Sequence, residues 1–167
     1  MGMDVYGKNP KQNVDRSKFS TLHKYESMEF RERWKLLDKD EKLRQTYWLE
    51  KDDYEQQNPG FYFRNNCWWW RPLWNYCYTI ADDIISEDVF ESGHSNSGAG
   101  LNDKDAKLLG NRLMEHIADG RTIKYQADYI QHMEDSDDKF AKSYPFDVDN
   151  VEAFALFCIE SGGFEIC

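Results

Sequence analysis

The residue types best suited to binding chemistry lie in one stretch, residues 61–74, where three consecutive Trp stand between two Arg. Indole rings offer faces for stacking, and the guanidinium groups of Arg64 and Arg71 are forked donors that suit a phosphate or a carboxylate. Amide side chains in the same stretch can bond the polar edges of a ligand. The stretch predicts a binding wall for a small anionic or nucleotide-like ligand, built from Arg64, Asn65, Asn66, Trp68, Trp69, Trp70 and Arg71.

The same residues also allow a purely structural interpretation. The rings can pack in the core, while each Arg stacks on a Trp or pairs with a nearby acid such as Asp4. Consecutive side chains point in different directions on helices and on strands, so Trp68, Trp69 and Trp70 cannot all face one way. At least one of the three indoles is therefore expected on a different surface from the core.

A second candidate is the small-residue loop at residues 93–100, which precedes a predicted helix. The start of a helix can hold an anion through its backbone N–H groups, so His94 and Asn96 join the predicted ligand-binding residues. The loop lacks the Lys of a P-loop and the glycine spacing of a dinucleotide-binding fold, and a plain connection is the alternative. No G-x-S-x-G elbow is present and the carboxylates show no informative spacing, so no catalytic residue is predicted.

Cys and His residues show no spacing typical of a metal site. The four Cys contain no Cys-x-x-Cys pair, and the four His contain no pair at i, i+4. No metal site and no cofactor are therefore predicted. Four thiols in 167 residues are typical of a reduced cytoplasmic protein rather than of a disulfide-linked secreted domain, so the predicted location is the cytoplasm.

Charge and hydropathy limit the partners. The net charge of −10 disfavours direct binding to nucleic acid or to an anionic membrane, because both repel an acidic surface. No apolar run approaches the roughly 18 residues that span a bilayer, and the N-terminal sequence does not resemble a signal peptide. The leading hypothesis is thus a non-catalytic binding protein for the anionic ligand above. The alternative is an acidic protein that blocks a basic host protein, for example one that binds DNA, and an enzyme of unknown class is the third.

Periodicity then predicts the elements that position these residues. Short extended segments near the N-terminus, at residues 61–64 and at residues 164–166 favour a small sheet, although nothing fixes their pairing. Arg71-Pro72 predicts the start of a buried helix that continues to about Ile85. Asn102 or Asp103, and Asp147 or Asp149, are predicted caps of later helices. The predicted fold is α+β, a helix-dominated single domain over residues 1–167 with a small sheet of short strands.

The charged region at about residues 24–58 is predicted to be a helical hairpin inserted into this domain. Residues 11–20 before it are polar and predicted to form a loop. One helix is predicted to end around Asp38, and Asp40 is a predicted cap of the second helix. The sequence Asn58-Pro59-Gly60 is expected to end that second helix.

Three motifs carry a resemblance to a known family: MGMDVYG at residues 1–7, YFRNN-x-WWWRPL at residues 62–73 and SGGFEIC at residues 161–167. With them the chain resembles a family of small uncharacterised proteins of phages and bacteria. The resemblance implies a phage-type accessory protein in the host cell cytoplasm, and it implies no activity, cofactor or site. If the three motifs meet in space, both termini lie beside residues 61–74, with Arg64 and Arg71 near Asp4.

Overall fold

The fold is described for residues 2–137 and 140–167 of a computed structural model. The chain divides into two compact units, one formed by Met1–Lys11 with Pro59–Cys167 and the other by Gln12–Asn58. The predicted insertion at about residues 24–58 falls within the second unit. No helix in the described part of the chain is long and apolar enough to cross a membrane.

The described residues form eight α-helices and four β-strands, which confirms the predicted helix-dominated α+β class. The helices are α1 Ser20–Glu26, α2 Phe30–Leu37, α3 Glu41–Gln57, α4 Cys67–Ile80, α5 Glu87–Ser92, α6 Asp103–Ala118, α7 Arg121–Asp135 and α8 Val148–Glu160. The strands are β1 Gly2–Gly7, β2 Tyr62–Asn66, β3 Gly100–Asn102 and β4 Gly163–Ile166.

The four strands form one antiparallel sheet in the order β2-β1-β4-β3. In β1, Met3 and Val5 are buried and alternate with side chains that are at least partly exposed, as expected for a strand with one covered face. Asp4 of β1 lies opposite Arg64 of β2, and Val5 lies opposite Ile166 of β4. The strands near both termini therefore meet beside residues 61–74, as the motifs predicted.

The predicted start of α4 at Arg71-Pro72 is wrong. The helix begins earlier, at Cys67, because the side chain of Asn66 caps it by accepting hydrogen bonds from the backbone N–H groups of Trp68 and Trp69. Pro72 thus lies inside the helix, where it removes one backbone donor. This shift places all three consecutive Trp on the first turns of α4.

The predicted end of α4 near Ile85 is also wrong, since the helix ends at Ile80. The guanidinium of Arg112, on α6, donates to the Ile80 carbonyl oxygen at 3.0 Å and to both carboxylate oxygens of Asp83. These bonds satisfy a carbonyl at the end of the helix and hold the chain in a turn. Beyond the end of the helix Ile85 is fully buried, whereas Ile84 is half-buried.

Large aromatic side chains fill the core of the unit that contains the sheet. Helices α6 and α8 pack against each other, and α4 contacts α6 and, through Trp70 and Phe154, α8. The largest fully buried side chains in this unit include Trp70, Trp74, Tyr76, Phe154, Phe157 and Phe164. Asn102 and Asp147 cap α6 and α8, and each was one of two predicted candidates for its cap.

Residues 12–58 form their own small core around three helices instead of the predicted two. Residues 11–20, predicted to be a loop, contain a 3₁₀ turn at Arg16–Lys18 and the first residue of α1. Helix α1 is only seven residues long, so its apolar pattern was too short to recognise. The predicted cap Asp40 and the predicted stop at Asn58 are both confirmed. The core contains Phe19, Leu22, Tyr25, Leu37 and Tyr47.

Candidate functional site

The first turns of α4 send its three consecutive indoles in three directions, because successive helical side chains are about 100° apart. Trp70 is fully buried. Its ring stacks on Trp74 with centroids 5.4 Å apart, and its indole N–H donates to the Gly93 carbonyl oxygen at 2.8 Å. Trp70, although predicted to contact ligand, therefore belongs to the core.

Trp68 and Arg71 both lie against Tyr144. The Trp68 ring is 4.8 Å from the Tyr144 ring and 5.1 Å from the Phe140 ring, centroid to centroid. The Arg71 guanidinium donates to the Tyr144 hydroxyl oxygen at 2.6 Å and lies over the Tyr144 ring. These contacts fix the chain segment that follows α7, so both residues act first as supports.

Trp69 differs from its two neighbours in having a free indole. No described residue accepts a hydrogen bond from its indole N–H, and no described ring packs against it. The half-buried ring lines a cavity of about 490 Å³, which we call the Trp69 cavity. Of the three indoles, Trp69 is the one available to a ligand.

Aromatic and aliphatic side chains form most of the Trp69 cavity. Facing Trp69, α7 contributes Tyr129, Ile130 and Met133, and the segment before α8 contributes Tyr144, Pro145 and Phe146. The Tyr129 hydroxyl donates to the Tyr144 carbonyl oxygen at 2.9 Å, which ties the two walls together. Burial raises the pKa of Tyr129, so its hydroxyl stays protonated and neutral at pH 7.

Four polar side chains complete the lining: Gln126, Glu134, Lys142 and Asp147. Three of them form hydrogen bonds at helix ends. The Gln126 side-chain oxygen accepts from the Val148 N–H at 2.9 Å, and the Lys142 ammonium donates to the Glu134 carbonyl oxygen at 2.9 Å. Asp147 uses one carboxylate oxygen to cap α8 through the Asp149 N–H at 2.7 Å.

The carboxylate of Glu134 stands apart, since no described residue donates a hydrogen bond to it. Glu134 and Asp147 together give the lining two carboxylates against the single ammonium of Lys142. The Trp69 cavity is therefore apolar on its walls and slightly acidic overall.

A more open groove adjoins the cavity and shares Trp69 and Asp147 with it. This groove, the Arg64 groove, has a volume of about 670 Å³ and is lined by Arg64, Asn65, Asn66, Trp69, Asp147, Asp149 and Asn150. The Arg64 side chain pairs with Asp4 at 3.4 Å, and the Asn65 amide donates to the Asn150 side-chain oxygen at 3.0 Å. Four of the predicted residues thus come together here, beside two carboxylates that offset the one guanidinium.

His94 and Asn96 line neither the Trp69 cavity nor the Arg64 groove. The His94 ring packs edge-on against Phe90 at 4.8 Å, and burial lowers the pKa of His94 while Glu91 opposes that shift. Asn96 donates to the Gly2 carbonyl oxygen at 3.1 Å and so ties the loop to β1. In this structure the loop at residues 93–100 supports the fold and does not contribute to the cavity.

A buried polar cluster lies where α6 meets α7. The Tyr76 hydroxyl oxygen is 3.0 Å from Thr122 Oγ1 and 3.2 Å from His116 Nδ1. Burial lowers the pKa of His116, and the nearby Arg121 lowers it further against the opposing effects of Asp119 and Glu115. The neutral imidazole is thus the form that the folded protein favours.

The lining of the Trp69 cavity contains no Ser, Thr, Cys or His, the side chains that most often act as nucleophile or base. Within residues 2–137 and 140–167, no group of three or more His, Cys, Asp or Glu is arranged to hold a metal ion.

Sequence reasoning missed one whole wall of the cavity. The spacing of Tyr129, Ile130 and Met133 indicates a helix, but it does not place that helix opposite Trp69. One available signal was that α7 has more apolar positions than one buried stripe needs, and Ile123 and Ile130 are indeed exposed. Such an excess is typical of a helix that lines a groove.

Comparison with known proteins adds no further constraint. No protein-family model, curated protein sequence or solved structure matches this chain. Its resemblance to phage and bacterial proteins therefore stays a prediction, and the site is interpreted from its own geometry.

Proposed function

We propose that this protein is a non-catalytic binding protein whose ligand is a small molecule with a planar apolar part. The site is the Trp69 cavity. The observation that carries the proposal is the free indole of Trp69, which lines both the cavity and the adjoining groove while its two neighbours are held by internal contacts.

The size and lining of the cavity support this function. Its volume of about 490 Å³ falls within the range of roughly 300–1,000 Å³ that is common for small-molecule sites. Such sites have mainly hydrophobic and aromatic walls with a few polar groups that orient the ligand. The rings of Trp69, Tyr129, Tyr144 and Phe146 with the few polar side chains of the lining fit that description.

The walls are braced against collapse, which favours a preformed site. The hydrogen bond between Tyr129 and the Tyr144 carbonyl joins α7 to the segment before α8. The bond between Arg71 and the Tyr144 hydroxyl joins the same segment to α4. A site that is rigid before binding loses less conformational entropy when a ligand enters.

The indole N–H signals in an NMR spectrum provide the test. The full-length chain, labelled with ¹⁵N, contains six Trp, and Trp69→Phe identifies the signal of Trp69 by its disappearance. We expect planar aromatic fragments to shift the Trp69 signal. The signals of Trp70 and Trp74 should move less, because both N–H groups donate to backbone carbonyl oxygens.

A matched pair of variants separates binding from general damage. Trp69→Leu has no indole at this position, so its binding is followed through the backbone amide signals of α7. It should weaken the best fragment by several-fold, in line with the roughly 0.5–1.5 kcal/mol that an aromatic pair contributes. Trp48→Leu removes another Trp, 41% exposed, that does not line the cavity, and it should leave the affinity unchanged. The proposal is refuted if no fragment in a diverse aromatic set shifts the Trp69 signal.

The hypothesis that this acidic protein blocks a basic host protein stays a prediction, and the charge distribution indicates where a basic partner would bind. Residues 12–58 contain ten Lys or Arg and eleven Asp or Glu, a net charge of −1 out of the −10 of the chain. The remaining −9 belongs to the unit that contains the sheet. A basic partner would therefore bind that unit.

A further inference from the structure

The charges around the Trp69 cavity differ from those expected for an anion site. The prediction of an anionic ligand rested on Arg64 and Arg71. Neither guanidinium lines the cavity, since Arg64 pairs with Asp4 and Arg71 donates to Tyr144. The one ammonium in the lining, Lys142, donates to a carbonyl oxygen in the last turn of α7, a favourable place for a cation.

From this arrangement we infer that the ligand of the Trp69 cavity is an organic cation, an ammonium or amidinium group attached to an apolar body. The inference rests on the proposed function, because it assigns the chemical class of the ligand to the same cavity. Rings of Trp and Tyr attract cations through their negative faces, and cages of such rings are a common way to bind quaternary ammonium groups.

Three observations point to a cation. Four aromatic residues, Trp69, Tyr129, Tyr144 and Phe146, line the cavity. The Glu134 carboxylate receives no hydrogen bond from a described residue, so its charge is available to a ligand.

The third observation is the position of Asp147, which lines both the cavity and the Arg64 groove. One oxygen of Asp147 caps α8, and no described residue donates to the other. The net charge of −10 adds a long-range attraction for cations and a repulsion for anions. An anionic ligand would lose its hydration shell here and meet two carboxylates against the single ammonium of Lys142.

Three probes that share a benzyl group and differ in charge test the charge of the ligand. They are benzyltrimethylammonium, its neutral isostere neopentylbenzene, and the anion phenylacetate, each titrated into the full-length chain while the Trp69 indole signal is followed. We expect the ammonium to bind at least about tenfold more tightly than neopentylbenzene, the size of a desolvated cation–π contact. Phenylacetate should not bind, and added salt should reduce the preference for the ammonium.

Variants of the two carboxylates test whether Glu134 and Asp147 cause the preference for the ammonium probe over neopentylbenzene. Glu134→Gln and Asp147→Asn should each weaken the ammonium several-fold and leave neopentylbenzene unchanged. Asn keeps the capping ability of position 147, so the start of α8 is preserved. Asp128→Asn makes the same change of net charge at an exposed position of α7 that lines no described cavity, and it should have little effect.

The possible outcomes separate this inference from the proposed function. If neopentylbenzene binds as tightly as the ammonium and Trp69→Leu weakens both, the cavity binds ligands and the cation assignment is overturned. The assignment also fails if phenylacetate binds best, or if the ammonium does not bind to a protein that binds neutral fragments at Trp69. If nothing shifts the Trp69 signal, the proposed function fails as well.

Discussion

Gly110→Ala tests the packing of α6 on α8, the helices at the centre of the unit that contains the cavity. A Cβ atom added at Gly110 would lie 2.7 Å from the Ala155 carbonyl oxygen and 2.7 Å from Ile159 Cγ1. It would also lie 3.0 Å from the Ile159 backbone nitrogen. Two of these neighbours are backbone atoms of α8, so a rotamer change cannot relieve the overlap and the helices must separate.

Two opposing effects determine how much Gly110→Ala changes the free energy of unfolding. In a helix interior, Ala is favoured over Gly by about 1 kcal/mol because the unfolded chain loses less entropy. Overpacking a core typically destabilises by about 1–3 kcal/mol, and contacts below 3 Å with backbone belong at the upper end. The net expectation is a loss of about 1–2 kcal/mol, or a fall in Tm of roughly 2–8 °C at about 2–4 °C per kcal/mol for a chain of this size.

Urea denaturation followed by circular dichroism measures the change in the free energy of unfolding. The neighbouring Asn111 is exposed in the same helix. Comparing Asn111→Ala with Asn111→Gly therefore gives the difference in helix propensity between Ala and Gly without a steric clash. We expect the Ala variant at 111 to be more stable than the Gly variant by about 1 kcal/mol. If Gly110→Ala is as stable as the unsubstituted protein, the close approach of α6 and α8 is not a constraint and the reasoning fails.

Two further predictions concern the Asn66 cap of α4 and the half-buried imidazole of His116. Asn66→Ala removes the oxygen that accepts hydrogen bonds from the backbone N–H groups of Trp68 and Trp69. It should lower the free energy of unfolding by about 1 kcal/mol and shift the Trp69 indole signal. Asn66→Ser keeps a capping oxygen and should retain most of the stability. Equal stability of the Ala and Ser variants would contradict the capping role. Burial in the folded state lowers the pKa of His116 below its usual 6.5, so the unfolded state binds a proton more readily. The free energy of unfolding is therefore unaffected by this group above pH 6.5 and decreases as the pH falls below it. Urea titrations at pH 7 and pH 5 measure this decrease, which should be smaller in His116→Asn than in the unsubstituted chain. Part of the decrease should remain in the variant, because the pKa of His94 is also lowered. An equal decrease in both proteins would contradict the desolvation of the His116 imidazole.

Local signals predicted much of the fold. Asp40, Asn102 and Asp147 cap their helices because a short polar side chain before an apolar periodicity satisfies backbone donors without help from the rest of the chain. The start of α4 was harder, because Asn66 and Pro72 are competing signals a few residues apart. The stacking of Trp70 on Trp74, one helical turn away, favours a helix that begins before Pro72. Both rings are buried in the core of the folded protein, and this burial is not visible in the sequence.

The candidate site was predicted on one side only. Residues 61–74 attracted attention because three indoles and two guanidinium groups are dense there, and Trp69 does line the cavity. Its opposite wall comes from α7 and from residues 142–147, far along the chain. A single sequence shows no spacing that relates residues so distant, because side-chain periodicity reports only which face of its own element a residue occupies.

By itself the sequence determined many local features of this protein: most of its helices, three of its four strands, the caps of three helices, its acidic charge and the aromatic character of residues 61–74. These follow from backbone preferences and side-chain periodicity over a few residues. Only the tertiary structure decided which indole is free. Trp68, Trp69 and Trp70 have the same chemistry, and their difference arises because the fold supplies Tyr144 to the first, an open cavity to the second, and the Gly93 carbonyl and Phe154 to the third.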